Sequence, residues 1–123
     1  METGALGKTF NTGEAIVHQG EVGDCMYVIQ KGEVEVIHEV EGKEVPLAVR
    51  REGDFFGEMA IFGREVRMAT VRARGSVRVL TVDKKNLLRR IQEDPSLAFR
   101  ILETMSHRIR ELSDKVSQPK SAG

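Results

Sequence analysis

The sequence predicts a closed or nearly closed antiparallel β-barrel or sandwich followed by helices. Three observations carry this. From about Lys8 to Asp83 the apolar residues come in short runs, broken at close intervals by Gly13, Gly20, Gly23, Gly32, Gly42, Gly53, Gly57, Gly63 and Gly75. Glycines spaced that way punctuate short strands. Within the runs, apolar and charged residues alternate with the period of two that a half-buried strand requires. After Asp83 the apolar spacing changes to three and four, the period of a helix.

The elements follow in order. Ala15 to His18 reads as a first short strand, and Tyr27-Val28-Ile29 as a second, β-rich run. Gly32 is expected to turn the chain into Val34, Val36 and Val40, with Glu33, Glu35 and Glu39 on the opposite face. Glu41-Gly42-Lys43 then separates that strand from Val45, Leu47 and Val49, a hairpin whose glycine takes positive φ. Two further strands are expected over Ala69 to Ala73 and Val77 to Val82. Asp83 is placed to cap a helix carrying Leu87, Leu88 and Ile91, and Asp94 to cap a second one with Pro95 in its first turn. Along the second helix Ala98, Leu102, Met105, Ile109, Leu112 and Val116 form a heptad seam, with Leu97 and Ile101 as a second short stripe. The seam suits either a partner helix, and so a homodimer, or a single wide face packed within the chain.

Composition narrows the function. The 123 residues make room for one domain, and 19 Lys plus Arg balance 19 Asp plus Glu, so a general electrostatic grip on nucleic acid or anionic lipid has no support. Any anion must be caught locally. Cys25 is the sole cysteine, which excludes an intrachain disulfide and a multi-cysteine metal site and fits a reducing cytoplasm. No apolar run approaches the roughly 20 residues of a membrane span, so membrane insertion is not expected. His18, His38 and His107 are scattered and offer no metal-ligand spacing, so no metal is expected.

The chemistry concentrates between Gly53 and Ala73. Glu58 to Phe62 reads as one helical turn whose leading amides, with Gly57 allowing close backbone approach, make a local anion site. Arg67, returning at the start of a strand, adds a fixed fork of donors to the same oxyanion. Glu58, an acceptor-only carboxylate, suits a sugar hydroxyl beside that phosphate. Phosphate, ribose and an apolar wall describe a nucleotide site. The plainer alternative is a Glu58–Arg67 ion pair that braces a loop. Arg64, Arg72, Arg74 and Arg78 read as a solvated face, Cys25 as a buried small hydrophobe.

Gly57-Glu58-Met59-Ala60, followed by Arg67-Met68-Ala69-Thr70, resembles the phosphate-binding cassette of cyclic nucleotide-binding domains. Gly13 to Gly20, Gly23-Asp24, Tyr27 to Gly32 and Gly53 to Gly57 match the rest of that family's pattern in order and spacing, over about residues 10 to 116. The resemblance implies a mainly β fold with C-terminal helices: an antiparallel β-roll over 8–83 with the cassette inserted at 53–70, then a hinge helix and a long lid or dimerisation helix over 84–116. It leaves 1–7 as a disordered start and 117–123 as a flexible tail.

By resemblance, Glu58 accepts from the ribose 2′-hydroxyl, Arg67 pairs with the cyclic phosphate, and the amides of Gly57, Ala60 and Ala69 complete the cradle. Val36, Leu47 and Met59 line the base pocket. Some members carry two hydroxyl residues near the end of the long helix that reach the base; here Leu112 stands at the first position and Ser113 at the second. Met68 has no hydroxyl for phosphate or guanine, which favours cAMP over cGMP. The expected function is a regulatory sensor that is not an enzyme, takes no cofactor beyond the cyclic nucleotide, and relays occupancy through its helices. DNA-binding relatives continue into a helix-turn-helix; this chain ends at Gly123, so no nucleic acid contact is expected from it. The alternative is an interaction module that keeps the fold without the ligand.

Overall fold

The structure, a computed structural model, describes residues 7–63 and 65–117, with no side-chain account at residues 65 and 115–117. Its strands are β1 (Gly7–Phe10), β2 (Ala15–Val17), β3 (Val22–Gly23), β4 (Cys25–Val40), β5 (Lys43–Arg51), β6 (Phe55–Phe56), β7 (Glu65–Val66) and β8 (Thr70–Asp83). A short 3-10 helix covers Glu58–Ile61, and α1 (Lys84–Glu93) and α2 (Ser96–Ser117) follow. The architecture is mainly antiparallel β with C-terminal helices.

The spine is the long antiparallel pair β4–β8, and it corrects two expectations. Gly32 does not separate two strands, because β4 runs through it, and the strands expected over Ala69–Ala73 and Val77–Val82 are one, β8, which begins at Thr70 and leaves Ala69 outside. Gly32 has φ 87°, and the β4–β8 register shifts on both sides of it, between Ile29 and Lys31 and between Lys31 and Glu33. A Cβ at Gly32 would run into the Ser76 carbonyl oxygen, so the two strands cross this point together only because the side chain is missing.

This corner divides the roll into two wings. In one, Cys25–Ile29 of β4 pairs with the end of β8, flanked by β6 at Tyr27 and Val28 and by β1 at Val77 to Leu80. In the other, Glu33–Ile37 pairs with Thr70–Arg74, flanked by β5 and β2. Gly7 pairs with Leu80, so it belongs to the roll and not to the start before it. Residues 1–6 and 118–123 lie outside the described residues, and Ser117 closes α2.

The β4–β5 hairpin turns through Glu41 and Gly42, both at positive φ, between the paired Val40 and Lys43. Val36 pairs with Ala48 but Ile37 with Pro46, so Leu47 is an extra residue in β5. That bulge ends the expected alternation: Val34 is fully buried and Ile37 nearly so, whereas Val40 is exposed. The core is Ile29, Val34, Phe56, Val71, Val77 and Val79 with their neighbours, contributed by both wings.

The charged face is built rather than merely solvated. Arg72 donates to both Glu44 oxygens at 2.9 Å and lies 3.3 Å from Glu35, while Glu33 bridges Arg51 and Arg74 at 3.4 and 3.5 Å. Cross-strand register places Glu35 opposite Arg72, and Glu33 opposite both Arg51 and Arg74. Arg78 donates to Gln30, and Arg64 lies outside the described residues.

The chain divides into two compact units at Lys84. In the second, the Asp94 carboxylate accepts from the Ser96 N–H at 3.2 Å and the Ser96 hydroxyl at 2.6 Å, the cap expected there. On α1, Leu87 and Ile91 are half-buried and Leu88 is exposed. On α2, Ala98 and Met105 are half-buried, whereas Phe99, Leu102, Ile109 and Leu112 are exposed. Val116, the last seam position, is among the residues whose side chains are not described.

Candidate functional site

The segment between β6 and β8 runs from one wing of the roll to the other, and its geometry starts at Gly57. Gly57 has φ 76° and ψ 15°, a left-handed conformation that L side chains rarely take, and it opens the 3-10 helix. The helical turn expected over Glu58 to Phe62 is therefore a tighter one, with Ala60 N–H donating to Gly57 O at 3.3 Å and Phe62 N–H to Met59 O at 3.2 Å. Ala60 and Ile61 are buried and anchor it, while Met59 is 55% exposed. Glu58 is half-buried.

Arg67 is held from both sides. Its backbone N–H donates to Glu21 O at 2.7 Å, and its carbonyl accepts from Gly20 N–H at 2.9 Å. The neighbouring pairs Val22–Val66 and Gly23–Glu65 extend this into a small second sheet. The guanidinium donates through Nη1 to Gly57 O at 3.0 Å and through Nη2 to Cys25 O at 2.8 Å. It also lies over the Tyr27 ring, 5.8 Å from the centroid, and Tyr27 stacks on Phe56 at 5.2 Å. Gly57 O thus receives two donors, the Ala60 N–H and the Arg67 guanidinium. Two bonds engage two of the five guanidinium N–H groups.

Beyond Arg67 the chain rejoins the roll at Thr70, which is buried and whose Oγ1 accepts from the Gln19 N–H at 3.0 Å. The Gln19 side chain in turn brackets Glu39, donating to its carbonyl at 3.0 Å and accepting from its N–H at 2.7 Å. Met68 is 76% exposed, Ala69 is half-buried, and the Met68 carbonyl lies 3.0 Å from His38 Nδ1.

The structure therefore brings Gly57, Ala60 and Arg67 together directly. Val36 and Leu47 lie on adjacent strands at the bulge, Val36 half-buried and Leu47 49% exposed. Leu112 and Ser113 belong to the second unit, on an exposed stretch of α2. A cleft of about 150 Å³ opens against Arg67, walled by Val17, His18, Glu21, Gly23, Cys25 and Tyr27 among others; of the expected ligand residues only Arg67 lines it.

Cys25 and Tyr27 are what the sequence reading missed. Cys25 is half-buried rather than buried, and its backbone carbonyl is what counts here. A carbonyl leaves no trace in residue type. Tyr27 was legible only as a strand residue. Burial first, and then the Cys25 thiol, push its phenol up to about 12.

A left-handed glycine opening a tight turn, with an arginine fork folded back onto it, sets this insertion apart from the rest of the β-roll. Comparison makes this particular. The model of the family described as Cyclic nucleotide-binding domain matches residues 7–94, and the chain belongs to that family. The chain is 41% identical over 91 residues to the cGMP-dependent protein kinase egl-4 of Caenorhabditis elegans, covering 72% of this chain and 12% of the kinase. It is 38% identical over 104 residues to the cAMP-activated global transcriptional regulator CRP of Salmonella typhimurium, covering 82% of this chain and 49% of the regulator. The chain thus spans half or less of these relatives. Among solved structures, the Thermus thermophilus catabolite activator protein superposes with a TM-score of 0.78 at 25% identity, covering 89% of this chain and 52% of that one.

Proposed function

We propose that this domain is a regulatory sensor, not an enzyme, that binds cAMP in preference to cGMP in the segment from Gly57 to Ala69. The observation that carries this is the Arg67 guanidinium held at the left-handed Gly57, its Nη1 3.0 Å from the Gly57 carbonyl where the 3-10 turn opens. A guanidinium so placed suits an anionic oxygen, which draws a charge-assisted bond stronger than a neutral carbonyl does. Arg67 then pairs with the cyclic phosphate, the amides of Gly57, Ala60 and Ala69 complete the cradle, and Glu58 accepts from the ribose 2′-hydroxyl. Met59, Val36 and Leu47 supply apolar surface to the base, consistent with the exposure that Met59 and Leu47 retain.

The kinase and the regulator carry cGMP and cAMP in their names. The preference for cAMP rests on Met68, which offers no hydroxyl to guanine. Occupancy is relayed through α1 and α2, with Leu112 and Ser113 the α2 residues assigned to the base and the Ala98 to Val116 seam available for a second copy of the chain. The relay is a two-state helix position biased by the state that binds nucleotide better.

Isothermal titration calorimetry with cAMP and then cGMP tests the site. One nucleotide per chain, cAMP tighter, and a loss of roughly ten- to a hundredfold in Arg67→Ala are expected, since a bond to a charged group contributes about 1.5–3 kcal/mol. Unchanged affinity in Arg67→Ala overturns the assignment.

A further inference from the structure

We infer that His38 is a positioning residue for the Ala69 amide, a role that rests on the phosphate site proposed above. His38 stands on β4, two residues past Val36 and outside the cassette, half-buried, with Nδ1 3.0 Å from the Met68 carbonyl oxygen. A carbonyl carries no proton, so the contact is a hydrogen bond only when Nδ1 bears the hydrogen and donates it.

The Met68 carbonyl and the Ala69 N–H belong to one peptide unit, which is planar and trans, as are all peptide bonds described here. The C=O and N–H of such a unit point in opposite directions, so a hold on the oxygen sets where the amide hydrogen points. The neighbours on either side are already fixed. Arg67 is tied through its backbone to Gly20 and Glu21, and Thr70 through β8 and the Gln19 N–H. Residues 68 and 69 fall between β7 and β8 and belong to neither strand. The peptide between them can rotate about its two flanking Cα atoms without disturbing either anchor, and the His38 ring is the side chain that resists this. The amide is thereby aimed before ligand arrives, so less ordering is needed on binding.

The test uses the full chain. His38→Leu removes the donor while keeping bulk, and His38→Asn restores an amide N–H close to where Nδ1 stands. A hydrogen bond between neutral groups corresponds to roughly two- to tenfold in affinity. That loss for cAMP is expected in His38→Leu, with recovery in His38→Asn. The Ala69 amide resonance is expected to shift on cAMP addition in the unsubstituted chain and in His38→Asn, and to shift less in His38→Leu. If His38→Leu fails to fold, the ring nitrogens of the unsubstituted protein answer the question by NMR: protonated Nδ1 supports the role, and an Nε2–H tautomer with bare Nδ1 overturns it. Full affinity in His38→Leu overturns it as well, provided Arg67→Ala weakens binding. If Arg67→Ala is also silent, the phosphate site itself fails, and this inference with it.

Discussion

Gly23→Ala should disable the arginine without touching it. Gly23 pairs with Glu65 in the small sheet, and a Cβ built there collides with Nε, Cζ and Nη2 of Arg67. The obstructing atoms are the far end of a flexible side chain, so the guanidinium moves and the backbone need not. Moving it breaks the bonds to Cys25 O at 2.8 Å and Gly57 O at 3.0 Å and lifts the cation from the Tyr27 ring. Each bond to a charged group contributes about 1.5–3 kcal/mol when well formed, but this one faces an open cleft where water can take over both carbonyls. The expected loss of stability is therefore about 1–3 kcal/mol for the pair, read as a lower urea midpoint at unchanged slope. Affinity for cAMP should fall roughly ten- to a hundredfold, as in Arg67→Ala, because the same group has left its place. The double variant is the sharper assay. With Arg67 already truncated, Gly23→Ala should cost no further affinity, so the two losses should not add. A folded Gly23→Ala variant that binds cAMP as tightly as the unsubstituted chain would refute the reasoning.

Three further outcomes are expected. Tyr27 is the sole tyrosine, and with its phenol pushed up to about 12 its contribution to stability is fully present below the ordinary value of 10.0 and is lost as pH rises through about 12. Phenolate absorbance during alkaline titration should report this, and a midpoint near 10 in the folded chain would contradict it. The Arg72 hydrogen bond holds the Glu44 carboxyl below its usual range, so its contribution is present above the unfolded value and fades as pH falls through the folded one. In Arg72→Gln the Glu44 carboxyl carbon should titrate at an ordinary carboxylate value by NMR, and an unmoved titration would show another cause. Thr70→Val leaves the Gln19 N–H without its Oγ1 acceptor and should cost about 1–3 kcal/mol in urea unfolding; a cost near zero would mean that the bond does not matter.

Local chemistry was legible in the residues themselves. The Glu41-Gly42 hairpin, the Asp94 cap and the change from period two to helical spacing after Asp83 each depend on neighbours a few positions apart. The same holds for the turn that follows Gly57, whose glycine marks a close backbone approach, although its left-handed conformation shows only in the fold.

Pairing partners far apart in sequence decided the rest. Gly32 punctuates equally well as a turn or as a corner inside a strand, and only the opposing Ser76 carbonyl makes it a corner. The bulge at Leu47 arises from a register between two strands, which neither strand encodes alone. Arg72 reads as a solvated cation until the register of β8 and β4 sets it opposite Glu35. The arginine fork was visible as Arg67, yet its partners are carbonyls 10 and 42 residues away, and His38 reaches Met68 across 30. Every residue carries a carbonyl, so residue type cannot say which one a guanidinium or an imidazole will meet; folding does, by bringing one particular oxygen within reach.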